Sequence, residues 1–402
     1  MKSPATEILP LSQTEITPSA LAAAPVRGLY VHVPFCFHKC HYCDFYSLSS
    51  QTQGRMERFV DLALAEADLW TTNTGPSVRP QTVFFGGGTP TLLPIEQMSR
   101  LLAGLRQRFD FSAVDEWTVE ANPATVSEEY CHALAEHGVT RLSFGAQSFR
   151  TSELKMLERW HDPSDVPRSI ETARSAGFRR LNLDLIYAIP GQSMADWIYS
   201  LDRVISMTPE HISCYNLTYE PNTPLAVKKR QGLIVPVEEE IELRMLQEAR
   251  RRLAAAGHHA YEISNYARPG EECRHNLLYW NGGNYIGLGP SAASHLEGVR
   301  FRNCPHLGKW EEAIAAGKLP AIDVEHLTPL RRAGELAMLQ LRLATGINFS
   351  NFLEKTGLDA RRLWPDLLPH LHKIGLIDLD DHGFRLTDHG INVADAIAAE
   401  FL

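Results

Sequence analysis

From Arg27 to about Gly257 the chain alternates short runs of β-branched and aromatic residues with longer stretches whose apolar positions recur every three or four residues. The short runs predict strands at Gly28–Val33, Thr82–Phe85, Glu116–Ala121, Arg141–Gly145, Leu181–Ile186 and His211–Leu217. The longer ones predict helices at Gln53–Trp70, Ile95–Phe109, Ser127–His137, Asp165–Ala176, Met194–Met207 and Val237–Ala256. Ser127 stands where an N-cap belongs, and Gly138, Gly177 and Gly257 stand just past helix ends. Six strand–helix units in a row imply a parallel sheet with helices on its outer face. Periodicity leaves open whether that sheet is flat and doubly wound or curls into a partial barrel.

Further on the rhythm breaks. Residues 259–328 are rich in Gly and aromatics (Tyr261, Tyr266, Tyr279, Trp280, Tyr285) and predict an irregular extension wrapped on the barrel. From Leu330 helices are expected around Arg332–Leu343, Asn348–Thr356 and Asp359–Ile374, and the alternating run Leu376–Thr387 around Asp381–Gly383 predicts a hairpin. Three helices followed by a hairpin look like a winged helix. The expected division is a loose tail over 1–25, an α/β barrel over 26–258, the extension over 259–328 and a winged-helix-like unit over 329–402.

Composition narrows the partners. Of 402 residues 44% are hydrophobic and 22% charged, a globular balance. Lys plus Arg total 39 against 48 Asp plus Glu, a net charge of −9, so no global field draws phosphate backbones or anionic lipid. From Arg331 to Leu402 eight basic residues face ten acidic ones, which speaks against the nucleic-acid reader a winged helix otherwise suggests, and for a lid or docking unit. The Pro-, Ser- and Ala-rich Met1–Pro25 has no continuous apolar core of a secretory signal, and no apolar run approaches the ~18 residues of a membrane span. A cytoplasmic chain is expected.

Cysteine usage points the same way. Seven is an odd number, and Cys36, Cys40 and Cys43 are bunched in Val33-Pro-Phe-Cys-Phe-His-Lys-Cys-His-Tyr-Cys43, just past the first strand. Such spacing lets one loop aim three thiolates at a common centre. Taken alone the triplet suits an iron–sulfur cluster or a zinc ion, with His38 or His41 as fourth zinc ligand; Cys40 and Cys43 also form a redox-type pair. Three thiolates on a cubane leave one iron open for substrate. The second strand, moreover, runs into Gly86-Gly-Gly-Thr-Pro90, whose missing side chains let a ligand approach backbone at the same sheet end.

The triplet with an aromatic before its last cysteine, followed by Gly-Gly-Gly-Thr-Pro, resembles the radical S-adenosylmethionine superfamily. Glu120-Ala-Asn-Pro123, Ser143-Phe-Gly-Ala-Gln-Ser148, Asp184–Gly191, Tyr261–Asn265 and Cys273–Trp280 extend the resemblance to the oxygen-independent coproporphyrinogen oxidase group. Within that group they resemble its heme-chaperone branch. The resemblance implies a partial (β/α)6 barrel. Cys36, Cys40 and Cys43 would hold a [4Fe–4S] cluster whose fourth iron takes S-adenosylmethionine, the chemistry supplied being reductive cleavage of the sulfonium. Tyr30 and Tyr42 match cofactor-contact positions. Gly87, Gly88 and Thr89 match the cradle for the methionyl end, Glu120 a carboxylate for its amino group or ribose, and Gln147, Arg159 and Asp184 further polar contacts.

Heme is the third implied ligand. His275 is the candidate axial ligand, with Cys273 as an alternative; Asn276, Tyr279 and Trp280 would position and cover the macrocycle. Departures favour heme holding over coproporphyrinogen decarboxylation. Cys43 is followed by Asp44 and Phe45, so the oxidase's fourth cysteine is missing, and no Arg precedes Arg27. The usual Leu-Gly-Arg reads Leu157-Glu158-Arg159, and Ser291 and Ala293 stand where relatives more often carry Gly and His, with His295 close by. The expected protein passes heme to acceptor hemoproteins, those of the respiratory chain included, and touches membranes only transiently through them. Two rival functions are a true coproporphyrinogen III dehydrogenase and a radical enzyme that modifies RNA; whether the chain is an enzyme stays open.

Overall fold

The computed structural model describes residues 24–49, 52–74 and 78–402. The expected loose tail lies outside them except for its last two residues. Six strands, β1 (Val26–Val33), β2 (Val78–Gly87), β3 (Glu116–Ala121), β4 (Arg141–Gln147), β5 (Arg180–Tyr187) and β6 (His211–Asn216), pair in chain order and all in parallel. Between and after them run α1 (Gln53–Thr74), α2 (Ile95–Arg108), α3 (Glu128–Glu136), α4 (Thr151–Met156), α5 (Asp165–Ser175), α6 (Met194–Ser206), α7 (Pro224–Arg230) and α8 (Glu239–Ala255). Ser127 caps α3 by accepting from the Tyr130 amide, as its position indicated. Two helices had no clear signature: α4 and α7 span only six and seven residues, too few for a periodic face to show.

Side chains from all six strands line one cavity, which requires the sheet to curl around it as a partial (β/α)6 barrel. The main core lies between the strands and the outer helices, where Val31, Phe85, Val119, Leu142, Leu183 and Ile212 meet fully buried Trp70, Trp117 and Trp197.

Residues 259–328 are more ordered than their pattern suggests. Short β7 (His259–Ala260) and β8 (Asn265–Ala267) add antiparallel strands beyond β6. Helix α9 (Arg274–Trp280) follows. Then β9 (Tyr285–Leu288) pairs in parallel with β1, and β10 (Ala293–Leu296), β11 (Val299–Asn303) and β12 (Ala321–His326), with α10 (Leu307–Ala315) between the last two, widen the sheet to twelve strands. Strands of two to six residues rich in Gly and aromatics carry no readable alternation, and it is pairing to the open barrel edges that orders them.

The C-terminal residues form α11 (Pro329–Gln340), β13 (Ile347–Asn348), α12 (Phe349–Thr356), α13 (Ala360–Leu363), α14 (Leu367–Lys373), β14 (Ile377–Leu379), β15 (Gly383–Leu386), α15 (Asp388–Ile391) and α16 (Ala394–Ala399). Their three strands make a separate antiparallel sheet with its own apolar cluster around Phe352, Leu371 and Phe384. The expected helix Asp359–Ile374 is two helices, broken where Pro365 withholds a backbone donor.

Candidate cofactor cavity

The register of β1 on β2 decides where the cysteine loop goes. His32 pairs with Gly86 and Val33 with Gly87, so the loop after β1 and the glycines after β2 leave the sheet side by side. Gly88 N–H then donates to the Val33 carbonyl at 2.8 Å and Thr89 N–H to the Phe35 carbonyl at 2.7 Å. A Cβ on Gly88 would lie 2.5 Å from the Phe35 carbonyl oxygen, closer than any side chain allows. Thr89 Oγ1 comes within 4.0 Å of Cys36 Sγ, so the two motifs share one wall.

That wall belongs to a cavity of about 1200 Å³. Cys36, Cys40 and Cys43 line it, as do Tyr30, Tyr42, Gly87, Gly88, Thr89, Glu120, Gln147, Arg159, Asp184, Asn276 and Tyr279; His275 and Trp280 do not. Burial pushes the Cys43 thiol up to about 11 and raises Cys36 as well, and each feels the charge of Cys40. Neutral thiols of this kind become thiolate when a metal binds. Among the described residues no three His, Cys, Asp or Glu side chains converge on one metal ion. His38 Nε2 and His41 Nδ1 turn instead to Glu158, at 3.7 and 3.9 Å. The three sulfurs line one cavity, and a cubane would take each of them on a different iron. Arg159 Nε, shielded from solvent and without a partner, marks the same wall as built for a further acceptor.

Below the loop the acids face each other. Glu120 accepts from Gly87 N–H, and burial together with the charge of Asp184 pushes its carboxyl up to about 8. Asp184 is raised by burial against the Ser213, Asn182 and Ser143 donors that hold it. Gln147 takes φ +61, a left-handed turn at the end of β4 that re-aims the strand. Tyr30 Oη donates to His32 Nδ1 at 3.1 Å while His32 Nε2–H donates to the Tyr46 carbonyl at 2.8 Å, the carbonyl fixing the tautomer.

Four residues in register, Glu120, Ser143, Asn182 and His211, cross β3 to β6. Asn182 Nδ2 donates to Asp184 Oδ1 and to Ser143 Oγ, both at 2.8 Å, which leaves Asn182 Oδ1 to accept from His211 Nδ1–H at 2.6 Å. His211 Nε2 therefore accepts from Tyr261 Oη–H at 2.9 Å, and burial keeps the imidazole neutral. Sequence reasoning passed over Asn182 and His211. The signal for Asn182 was its place two residues before Asp184, on the same strand face.

The heme motif lies towards the opposite end of the barrel strands, with Asn276 and Tyr279 reaching into the cavity and His275 and Trp280 outside it. Helix α9 closes the floor, its first amides, Arg274 and His275, donating to the Glu116 carboxylate at 3.1 and 3.0 Å. Burial works against that charge, but Arg141, the His275 amide and Arg180 hold Glu116 below the usual carboxylate value. His275 is 1% exposed and stacks on Phe84, with Nδ1 2.8 Å from Thr82 Oγ1 and Nε2 2.8 Å from Tyr279 Oη. Desolvation lowers it to about 4. In this seat it is a core histidine with neither nitrogen free. Cys273 is likewise buried, between Glu116 and Arg141. Trp280 packs its ring under the Arg342 guanidinium, while His295 Nδ1 donates to the Gly283 carbonyl.

Residues 30–204 match the model of the radical SAM superfamily, and residues 327–393 match that of the HemN C-terminal domain. The chain is 34% identical over 379 residues to the heme chaperone HemW of Bacillus subtilis (strain 168), covering 94% of this chain and 99% of the relative. Identity to the heme chaperone HemW of Escherichia coli (strain K12) is 38% over 382 residues, covering 94% and 98%. The fold superposes on the coproporphyrinogen III oxidase HemN from Escherichia coli with a TM-score of 0.83 at 24% identity, over 95% of this chain and 92% of that one. With curated relatives of this identity along nearly its whole length, the chain belongs to the HemW family of radical SAM proteins.

Proposed function

We propose that this protein is a heme chaperone of the cytoplasm that binds a [4Fe–4S] cluster, S-adenosylmethionine and heme and passes heme to acceptor hemoproteins. The observation that carries the reading is the meeting, in one cavity, of three cysteines, a glycine-cradled wall and two facing acids, in a chain of this family. Cys36, Cys40 and Cys43 would hold the cluster, whose chemistry when loaded with S-adenosylmethionine is one-electron reduction of the sulfonium. Gly87, Gly88 and Thr89 would seat the methionyl end. Glu120 and Asp184 would take its polar groups, with Tyr30, Tyr42, Gln147 and Arg159 closing the wall.

Heme would be held through His275, flanked by Asn276, Tyr279 and Trp280. A ring 1% exposed, with Nε2 on the Tyr279 hydroxyl, offers no room for a macrocycle in this seat, so this reading requires α9 to leave the barrel floor when heme arrives. No described helix is long and apolar enough to cross a membrane. Acceptors in the respiratory chain would be met by transient contact.

The test is anaerobic reconstitution followed by hemin titration. Expected are near-stoichiometric iron and sulfide, lost when Cys36, Cys40 or Cys43 is replaced, and a Soret shift abolished by His275→Ala. A protein that takes up zinc without sulfide, or that leaves the hemin spectrum unchanged, overturns the reading. Conversion of coproporphyrinogen III to a vinyl product under the same conditions would replace it with the dehydrogenase.

A further inference from the structure

Three consecutive residues after α4 all touch the cysteine loop. The Leu157 carbonyl accepts from His41 N–H at 3.3 Å. The Glu158 carboxylate lies 3.7 Å from His38 and 3.9 Å from His41. Arg159 then sends Nη1 to Cys40 Sγ at 3.6 Å, while Nη2 donates to the Gly145 carbonyl at 2.7 Å and anchors the guanidinium to β4. Glu158 makes this run possible by adopting φ +55, a conformation that costs a non-glycine residue about 1 kcal/mol or more and persists here under those contacts.

We propose that Arg159 is a positioning residue that sets the reduction potential of the iron–sulfur centre through its N–H contact with the Cys40 sulfur. The proposal rests on the reading that the three cysteines hold a cluster. Among the described residues no carboxylate lies within ion-pair distance of Arg159, and the side chain its guanidinium meets is Cys40, through Sγ. An arginine keeps its proton at every working pH, so its field on the centre is permanent. Adding one electron to a cubane adds one negative charge. A fixed cation and an N–H donor beside a ligand sulfur therefore favour the reduced state over the oxidised one and raise the potential. The Gly145 anchor keeps that donor aimed, and the clamp through Leu157 and Glu158 keeps the sulfur in front of it.

The test compares wild type, Arg159→Lys and Arg159→Gln, reconstituted anaerobically and titrated without S-adenosylmethionine, with the reduced centre followed by electron paramagnetic resonance. Both variants should keep wild-type iron and sulfide. The potential should fall, farthest in Arg159→Gln, with Arg159→Lys in between because it restores the charge without the two-pronged fork. A wild-type potential in Arg159→Gln at full iron content overturns the proposal. If Arg159→Gln holds less iron, a wild-type potential in Arg159→Lys overturns it equally. Failure of wild type to bind iron and sulfide would instead sink the cluster reading, a separate outcome read before any titration.

Discussion

Replacing Glu120 with Gln should stabilise the ligand-free protein while weakening its hold on S-adenosylmethionine. The carboxyl sits at about 8 in the fold against an ordinary 4.5, raised by burial and by Asp184 across the cavity. Below pH 4.5 it is protonated both folded and unfolded. Between pH 4.5 and 8 the unfolded chain gives up the proton and the folded chain keeps it, so stability drains away by ~1.4 kcal/mol per pH unit and levels off above 8. At pH 7 the full shift would amount to ~3 kcal/mol, and water in the open cavity reduces this to roughly 1–3 kcal/mol. Glu120→Gln keeps an oxygen for the Gly87 amide and removes the titration. Its unfolding free energy should therefore exceed that of wild type at pH 7, with the gap closing towards pH 5. In the proposed site the same carboxylate must ionise to pair with the cofactor, so wild-type affinity should rise about fivefold from pH 7 to 8, and the variant's should be weaker and flat. Denaturant titrations of cluster-free protein at several pH values, beside ligand titrations of reconstituted protein, measure both. A variant no more stable than wild type, with the same pH slope, would refute the electrostatic reasoning.

Gly88→Ala would drive a methyl group against the Phe35 backbone, which cannot rotate away. A loss of about 1–3 kcal/mol in denaturation and a clear loss of S-adenosylmethionine binding are expected, and normal values for both would show that the two loops are less tightly docked. Glu158→Gly should change stability by no more than about 1 kcal/mol, since relief of the left-handed backbone is offset by lost ion pairs and a freer unfolded chain. The same variant should release cluster iron to a chelator faster, and an unchanged rate would count against the clamp. Thr82→Val removes one partner of the His275 ring, worth about 1 kcal/mol. If heme enters through an opened floor, its binding rate in stopped flow should rise about fivefold, whereas an unchanged rate would speak against release of α9.

The barrel was legible because short runs with buried apolar positions, such as Val83 and Phe85 in β2 or Leu181, Leu183 and Leu185 in β5, alternate with longer amphipathic helices, so period and length told the same story. The cysteines, glycines and Glu120 were legible for a different reason: each stands at or just past the C-terminal end of a parallel strand, where the topology must bring them together once the sheet curls, while Asp184 lies in the middle of β5. What escaped were polar residues whose meaning is set by neighbours distant in sequence. His211 begins a strand and reads as an ordinary polar edge residue; only the β5–β6 register puts it on Asn182, and only the β6–β8 return brings Tyr261 to its other nitrogen. His275 shows the same limit from the other side. Its motif suggests an exposed ligand, yet the α9 amides are drawn to Glu116, at the N-terminal start of β3, and that attachment carries the ring into the floor beneath Phe84. Strand ends therefore gather the candidate residues at the mouth of this barrel, whereas a helix that arrives after the sixth strand can fill its base. The mouth residues face the cavity with the fold at rest, whereas His275 would reach a ligand only by giving up the packing that now holds it. Heme capture through α9 would thus be coupled to opening the barrel base, and loading at the mouth would proceed without it.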